Sequence, residues 1–157
     1  MARGKLSDKE WHRKSAVEFF NGTWRLLEKR RRTKDEDDAM IHGAHASRFH
    51  WGLIGKPLNW SIGEWQVSHV YAVLGREEPA AYHARRCLEL CKAHGLADFA
   101  LAYAYEALAR ADALAGRKVD FRKHVAAARA AGEEIEEKED RDQFFADLET
   151  LPGSGRR

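Results

Sequence analysis

The amino-acid sequence predicts an all-α protein in which about seven helices form antiparallel hairpins that stack as a short solenoid. No segment shows the sustained alternation of apolar and polar residues that is typical of a half-buried strand. Helix start and stop signals recur along the chain. In addition, residues 69–90 and 110–131 align without a gap, each as a helix, a glycine turn and a second helix. Such self-similarity, with a period of roughly 20 to 50 residues, is typical of solenoids, in which each helical hairpin buries a face against the next.

Capping boxes open the first two predicted helices. In a capping box, a Ser or Thr side chain binds the backbone N–H three residues later, and a Glu at that later position binds back. Ser7 and Thr33 are each followed by a glutamate at this spacing. We expect the first helix to run to about Arg32 and the second to end at the Gly-Lys-Pro sequence at 55–57.

The remaining helices are predicted from polar or proline residues at their starts and from glycines at their ends. The short seventh helix is acidic, and a Leu-Pro-Gly sequence follows it. The expected bounds are Asn59 or Ser61 to Gly75, Pro79 to Gly95, Asp98 to Gly116, Asp120 to the neighbourhood of Gly132, and Asp140 to Leu148.

Length and composition favour a single domain, which we place at residues 1–150, followed by a Gly/Ser/Arg tail at 151–157 that we expect to be disordered. The 27 basic and 25 acidic side chains leave a net charge of +2, which gives no general electrostatic reason to bind nucleic acid or an anionic membrane. The basic run at 28–34 is followed at once by acidic residues, so we expect a solvated helix junction there. With no apolar leader or membrane span in the sequence, we expect a cytoplasmic protein.

Cys87 and Cys91 are four residues apart within a predicted helix. Side chains at this spacing share a helix face, but their directions suit a disulfide poorly. Free cysteine is among the residue types most often buried. We therefore expect two reduced cysteines in the core.

Five positions in the third and fourth predicted helices carry a family resemblance: an aromatic residue, a turn glycine and the residues after it, Tyr71, Gly75, Ala80, Cys87 and Leu88. They resemble the tetratricopeptide repeat over about residues 60–131. In the second unit Gly116 and Ala128 match, whereas Asp112 and Phe121 depart from the pattern. The period of 41 residues also exceeds the usual repeat by about two helical turns. The segments AHASRFHW, GEWQVSHVYAVLGR and YHARRCLELC are also similar to those of a group of small uncharacterised bacterial proteins, which implies a bacterial, cytoplasmic protein and no particular chemistry.

The tetratricopeptide resemblance implies a concave groove lined by the first helix of each hairpin, and hence a protein-interaction role. Aromatic anchors beside a charged pair suit an extended peptide or a partner helix, and we expect Arg110 to recognise an acidic group there. As the alternative, Trp65 and Tyr103 are core residues beneath the first hairpin. We expect no catalysis and leave homo-oligomerisation open. The residues placed in the groove are Ile62, Trp65, His69, Tyr103, Glu106 and Arg110.

The segment MIHGAHASRFHW at 40–51 sets three histidines and an arginine among apolar residues. A helix so apolar is expected to be buried on most sides, and a buried polar group needs a partner. We therefore predict a hydrogen-bonded network that fixes how the first hairpin docks on the second. Its members would be His42, His45, Arg48, His50 and Glu64.

A metal site is the alternative for the same segment. Asp38, His42 and His45 would lie along one helix face, and a carboxylate with two imidazoles suits one zinc or iron ion if another helix adds a ligand. Glu64 or His83 would be that ligand. The sequence contains neither a phosphate-binding Gly-rich loop nor a Gly-x-Ser-x-Gly nucleophile motif. An interaction module and a metal protein therefore remain the two functional hypotheses.

Overall fold

Seven α-helices and no strand are present in residues 4–153, the part of the chain that the computed structural model describes. The predicted all-α class is confirmed. The helices are α1 (Asp8–Leu27), α2 (Lys34–Ile54), α3 (Pro57–Val73), α4 (Glu77–His94), α5 (Asp98–Ala115), α6 (Lys118–Glu133) and α7 (Lys138–Glu149).

Both predicted capping boxes are formed. The Ser7 Oγ accepts the N–H of Glu10 at 3.2 Å, and the Glu10 carboxylate accepts the N–H of Ser7 at 2.8 Å. Thr33 and Glu36 make the same pair of bonds at 3.2 and 2.9 Å. These bonds satisfy N–H groups that have no partner within the helix. They explain why α1 and α2 begin where the sequence predicts.

The first helix ends at Leu27, before the predicted end at about Arg32. Most of the basic run forms the connection to α2, where its cations contact both the end of α1 and the acidic start of α2. The Arg32 Nε donates to Asp37 Oδ1 at 2.7 Å and its Nη1 donates to the Lys29 carbonyl at 3.2 Å. Lys29 pairs with Glu36. The opposite charges therefore neutralise each other across this junction.

The third helix begins at Pro57, whereas the sequence predicted that this proline would end α2 and that Asn59 or Ser61 would start α3. A proline in the first turn of a helix loses no hydrogen bond, because the N–H groups there have no partner within the helix. The helices α4 and α6 likewise begin shortly before the predicted Pro79 and Asp120.

The turn glycines adopt the conformation that the repeat requires. Gly75 and Gly116, which occupy matching places in the two similar segments, have φ angles of 74° and 73°. Gly95, which ends α4, has a φ of 62°. Residues with a side chain rarely adopt this left-handed conformation, so glycine is favoured at each position. The helix–turn–helix units are thus formed in both segments.

The helices stack in chain order. Each one packs against the next, and α3 also contacts α5, as α5 contacts α7. Buried alanines let α4 and α5 approach closely: Ala80, Ala84, Ala107 and Ala111. The odd-numbered helices therefore follow one another along one side of the stack.

The last helix is fixed by an apolar cluster beneath it. Phe144 is fully buried and packs with Ile135, Leu148 and Leu151. Leu151 is only 3% exposed, so the packed part of the chain includes this first residue of the predicted tail. The predicted tail residues 154–157 lie outside the described part of the chain.

Candidate binding groove

An apolar groove runs across the odd-numbered helices. Its central cavity has a volume of about 380 Å³. The walls come from α1 and α7, and the floor comes from α3 and α5 together with one residue of α4. The lining residues are Phe20 and Trp24 of α1, Ser61, Ile62 and Trp65 of α3, Cys87 of α4, Phe99, Ala100 and Tyr103 of α5, and Gln143 and Asp147 of α7.

Two smaller cavities extend the groove. One of about 250 Å³ shares Phe20 and Ile62 with the central cavity. The other, of about 130 Å³, shares Phe99, Tyr103 and Gln143 with it. The three cavities thus adjoin one another, and the groove is longer than its central cavity.

The six predicted groove residues occupy three different positions. Ile62, Trp65 and Tyr103 line the cavity as the tetratricopeptide register implied. Glu106, only 1% exposed, is buried rather than lining the cavity. The other two, His69 and Arg110, do not line the cavity either. His69 packs against Trp65, and Arg110 donates to the backbone carbonyl of Asp147.

Aromatic contacts hold the floor of the groove in place. The ring of Trp65 stacks on Trp24 with centroids 5.7 Å apart and meets Tyr103 edge-on at 5.3 Å. His69 packs beside both tryptophans, with ring centroids 5.0 Å from Trp65 and 6.1 Å from Trp24. Arrangements of this kind stabilise aromatic pairs beyond the area that they bury. We infer that the groove has its shape before any partner binds.

Glu106 links the two repeats beneath this floor. Its carboxylate accepts the Trp65 Nε1–H at 2.9 Å and the Arg110 Nε–H at 2.8 Å. Trp65 and Glu106 are 41 residues apart, which is the repeat period, so equivalent positions of two successive units bond to each other. Burial raises the pKa of Glu106, while the Arg110 charge and the two hydrogen bonds oppose that rise.

Arg110 is engaged within the protein. Its Nη2 lies 2.6 Å from Glu106 and donates to Thr150 Oγ1 at 2.8 Å. The same nitrogen also donates to the Asp147 carbonyl at 3.4 Å. Arg110 therefore joins α5 to the end of α7, and this does not fit the expectation that it recognises an acidic group of a partner.

Tyr103 and Asp147 close one side of the groove. The Tyr103 hydroxyl donates to Asp147 Oδ2 at 2.6 Å, and Gln143 donates to Asp147 Oδ1 at 3.0 Å. Burial raises the pKa of Tyr103, and the Asp147 hydrogen bond with the nearby carboxylates raises it further. The tyrosine is thus held as a neutral donor that fixes the position of the carboxylate.

His69 has a buried ring nitrogen, Nδ1, without a hydrogen-bond partner. Its ring lies against Trp24 and Trp65. Burial and the Arg110 charge lower its pKa from 6.5 to about 4. His69 is therefore neutral at pH 7, and its role next to the groove is to support the tryptophans.

Because His69 is buried in its neutral form, the stability of the protein should depend on pH. Between pH 6.5 and 4, the unfolded chain binds a proton at residue 69 that the folded chain does not, so acidification favours unfolding. Above pH 6.5 His69 is neutral in both states and the folded protein keeps its full stability. As the pH falls to 4, we expect the free energy of unfolding to decrease by about 3 kcal/mol on account of this residue. Urea unfolding at several pH values measures it. His69→Phe should remove this part of the slope. The matched change at an exposed position, His42→Phe, should retain it, and equal slopes in wild type and His69→Phe would contradict the assignment.

Part of the predicted polar network is formed, at the contact of α2, α3 and α4. The Arg48 Nε donates to Glu64 Oε1 at 3.0 Å, and His83 Nδ1 lies 2.6 Å from Glu64 Oε2. Glu64 is 7% exposed. Its burial raises the pKa, but hydrogen bonds and charges from His83 and Arg48 outweigh that effect and hold the pKa below its usual value. The network thus centres on one buried carboxylate with two partners.

The predicted histidines divide among three environments. His45 Nε2 lies 2.9 Å from the Tyr71 hydroxyl, and its ring is 5.4 Å from that of His83, so it adjoins the network. Burial and the nearby His83 lower the pKa of His45. His42 is exposed, and His50 faces α1, where its Nδ1 lies 2.9 Å from that of His12. The prediction that His42 and His50 belong to the network was wrong, because His42 lies on the exposed side of α2 and His50 lies on the side that packs against α1.

The residues of the metal-site alternative are not assembled. Within residues 4–153, no group of three or more His, Cys, Asp or Glu side chains is arranged to hold a metal ion. Asp38 and His42 are exposed, and His45 instead contacts Tyr71. His83, considered as a further ligand, binds Glu64.

The predicted cysteines are reduced and buried, with each sulfur within 3.5 Å of the Ser61 hydroxyl. Sequence reasoning missed the wall residues of the groove and one floor residue: Phe20 and Trp24 of α1, Gln143 and Asp147 of α7, and Phe99 of α5. The spacing of Phe20 and Trp24, one helical turn apart on α1, was the available signal.

Comparison with known proteins does not indicate a function for this groove. No family model matches the sequence, no curated protein matches it, and no solved structure matches the fold. None of the helices in the described part of the chain is long and apolar enough to cross a membrane.

Proposed function

We propose that this chain is a protein-interaction module that binds an extended peptide or a partner helix in the groove between α1 and α7. The observation that carries the proposal is the row of three adjoining cavities, of about 250, 380 and 130 Å³, along one side of the helical stack. A linear segment can place successive side chains in such a row. In this proposal the module is tetratricopeptide-like, with the first helix of each hairpin facing the ligand, and it acts in the cytoplasm.

The chemistry of the lining favours a segment with apolar anchors. Most lining side chains of the central cavity are aromatic or aliphatic. Aromatic anchors in desolvated pockets supply most of the binding energy in protein interfaces. A volume of about 380 Å³ lies near the lower end for small-molecule sites. It fits a few anchor side chains, while the smaller cavities receive the flanking residues.

The lining residues differ in how far they also support the fold. Trp65, Phe99 and Tyr103 pack against buried hydrophobic clusters. Phe20 and Ile62 lie outside the clusters found among the described residues. A change at Phe20 or Ile62 therefore tests binding with the smallest effect on folding.

Removing the Phe20 side chain should weaken binding. Phe20 borders two of the three cavities, so we expect Phe20→Ala to weaken a groove-binding peptide by more than about tenfold, on the scale of an aromatic hot spot. Because Gln66 bonds only to the backbone carbonyl of Phe20, that hydrogen bond survives the substitution. The measurement is fluorescence anisotropy with peptides selected from a randomised 12-residue library displayed on phage, beside thermal unfolding.

Tyr82→Ala is the matched control, because Tyr82 is 52% exposed on α4 and lies outside the groove. It should leave peptide affinity unchanged. The proposal is contradicted if the library yields no binder, or if the selected peptides bind wild type and Phe20→Ala equally well.

A further inference from the structure

The charged side chains that line the groove are carboxylates. Asp147 lines the central cavity, and Asp140 lines the smaller cavity beside it. Neither forms an ion pair within residues 4–153. Asp147 accepts hydrogen bonds from the neutral donors Tyr103 and Gln143. Among residues 4–153, the cations near α7 make their ion pairs with other carboxylates.

The neighbouring cations are bound elsewhere. On α7, Lys138 pairs with Asp142 at 2.5 Å, and Arg141 donates to the Ile135 carbonyl at 2.8 Å. Arg110 approaches Asp147 only through its backbone carbonyl, and its guanidinium is paired with Glu106. The α1 wall contributes only neutral side chains. The groove is therefore apolar along its floor and negative along its α7 wall.

We propose that the groove selects partner segments that carry a lysine or an arginine next to their apolar anchors. This inference rests on the proposed function and specifies the class of partner. The cation would lie against the α7 wall, near Asp140 and Asp147, while the anchor enters the central cavity. The assignment reverses the earlier expectation of an acidic partner, because Arg110, which was expected to bind an acidic group, is engaged within the protein.

Local geometry favours such a cation. A carboxylate at the edge of an apolar groove attracts a charge more strongly than one in bulk water, because less solvent screens it. Tyr103 holds Asp147 at 2.6 Å, so that carboxylate is fixed in position before binding. Tyr103 and Phe99 line the same cavity as Asp140, and a guanidinium or the stem of a lysine can pack against aromatic rings.

Selection from the randomised peptide library tests the inference. We expect groove binders to be enriched in Lys and Arg beside an aromatic or aliphatic pair. For the tightest binder, replacing its basic residue by Gln should weaken affinity and replacing it by Glu should weaken it further. Asp140→Asn in the protein should reduce the affinity for the basic peptide by about threefold at low salt and leave that of the Gln peptide unchanged. Raising the salt concentration should shrink this difference.

The matched control is Asp142→Asn, which removes the same charge from α7 at a position paired with Lys138. It should not alter the preference for the basic peptide. Groove binders that are neutral or acidic, yet still weakened by Phe20→Ala, would overturn the charge inference and leave the proposed function standing. Failure to recover any binder that depends on Phe20 would instead overturn the proposed function.

Discussion

Arg48→Ala should lower the free energy of unfolding by about 3 kcal/mol, because it strands a buried carboxylate. Glu64 is 7% exposed and relies on Arg48 and His83 for its two ion-pair contacts. The alkyl part of Arg48 also lies across Gly63, where a Cβ atom would come within 2.7 Å of Arg48 Cδ. The substitution thus removes both a charge and packing between α2 and α3. Urea unfolding measures the change.

A double-mutant cycle separates these two contributions. If the stranded charge dominates, Arg48→Ala with Glu64→Ala should cost less than the sum of the two single changes. A chelator should leave the melting temperature of the wild-type protein unchanged. A loss below about 0.5 kcal/mol for Arg48→Ala would show that solvent screens the pair, since exposed ion pairs contribute that little. A chelator-induced drop that one added metal restores would favour the metal hypothesis.

Local signals in the sequence predicted the helices well. These signals act over about one helical turn, so they can be recognised without knowledge of the fold. They are the capping boxes at Ser7 and Thr33 and the left-handed glycines at Gly75 and Gly116. The same locality explains the errors. Whether α1 continues past Leu27 depends on ion pairs made across a connection, which no periodic pattern encodes.

From the sequence, only those groove residues could be predicted that belong to the repeated helical hairpins. Trp65 and Tyr103 follow from the tetratricopeptide register, which extends over about residues 60–131, and both line the cavity. The walls lie outside that range: Trp24 belongs to α1 and Asp147 to α7. The place of α7 depends on how Phe144 and its neighbours pack, and that information is spread over distant positions.

The polar residues were the hardest to place. Periodicity showed which side chains of α2 share a face, but not which face meets another helix, so the exposed His42 was grouped with Arg48. Arg110 was assigned to a ligand because its partner Thr150 lies 40 residues away in sequence. A charged side chain near a groove is predicted reliably only after its intramolecular partners are known.

Trp65→Ala should lower both stability and binding. The sequence left two alternatives open for Trp65, a groove-lining residue or a core residue beneath the first hairpin. In the structure, Trp65 packs against two buried clusters and donates to Glu106 at 2.9 Å, while its ring lines the cavity. Removing a large, partly buried aromatic side chain costs about 3–5 kcal/mol where its neighbours cannot collapse into the space. We expect a loss in that range by urea unfolding.

The peptide affinity of Trp65→Ala can be interpreted only together with the stability of the variant. Trp65→Phe is the informative partner, because it keeps an aromatic ring at this position and removes the indole N–H that Glu106 accepts. If the hydrogen bond matters, Trp65→Phe should lose about 1 kcal/mol of stability and retain most of the affinity for a groove-binding peptide. Were Trp65→Ala to unfold like the wild type, the packing beneath the groove would contribute little. A stable variant that also bound peptide normally would show that Trp65 is not part of the binding surface, and the site would then consist of Phe20, Ile62 and the α7 wall.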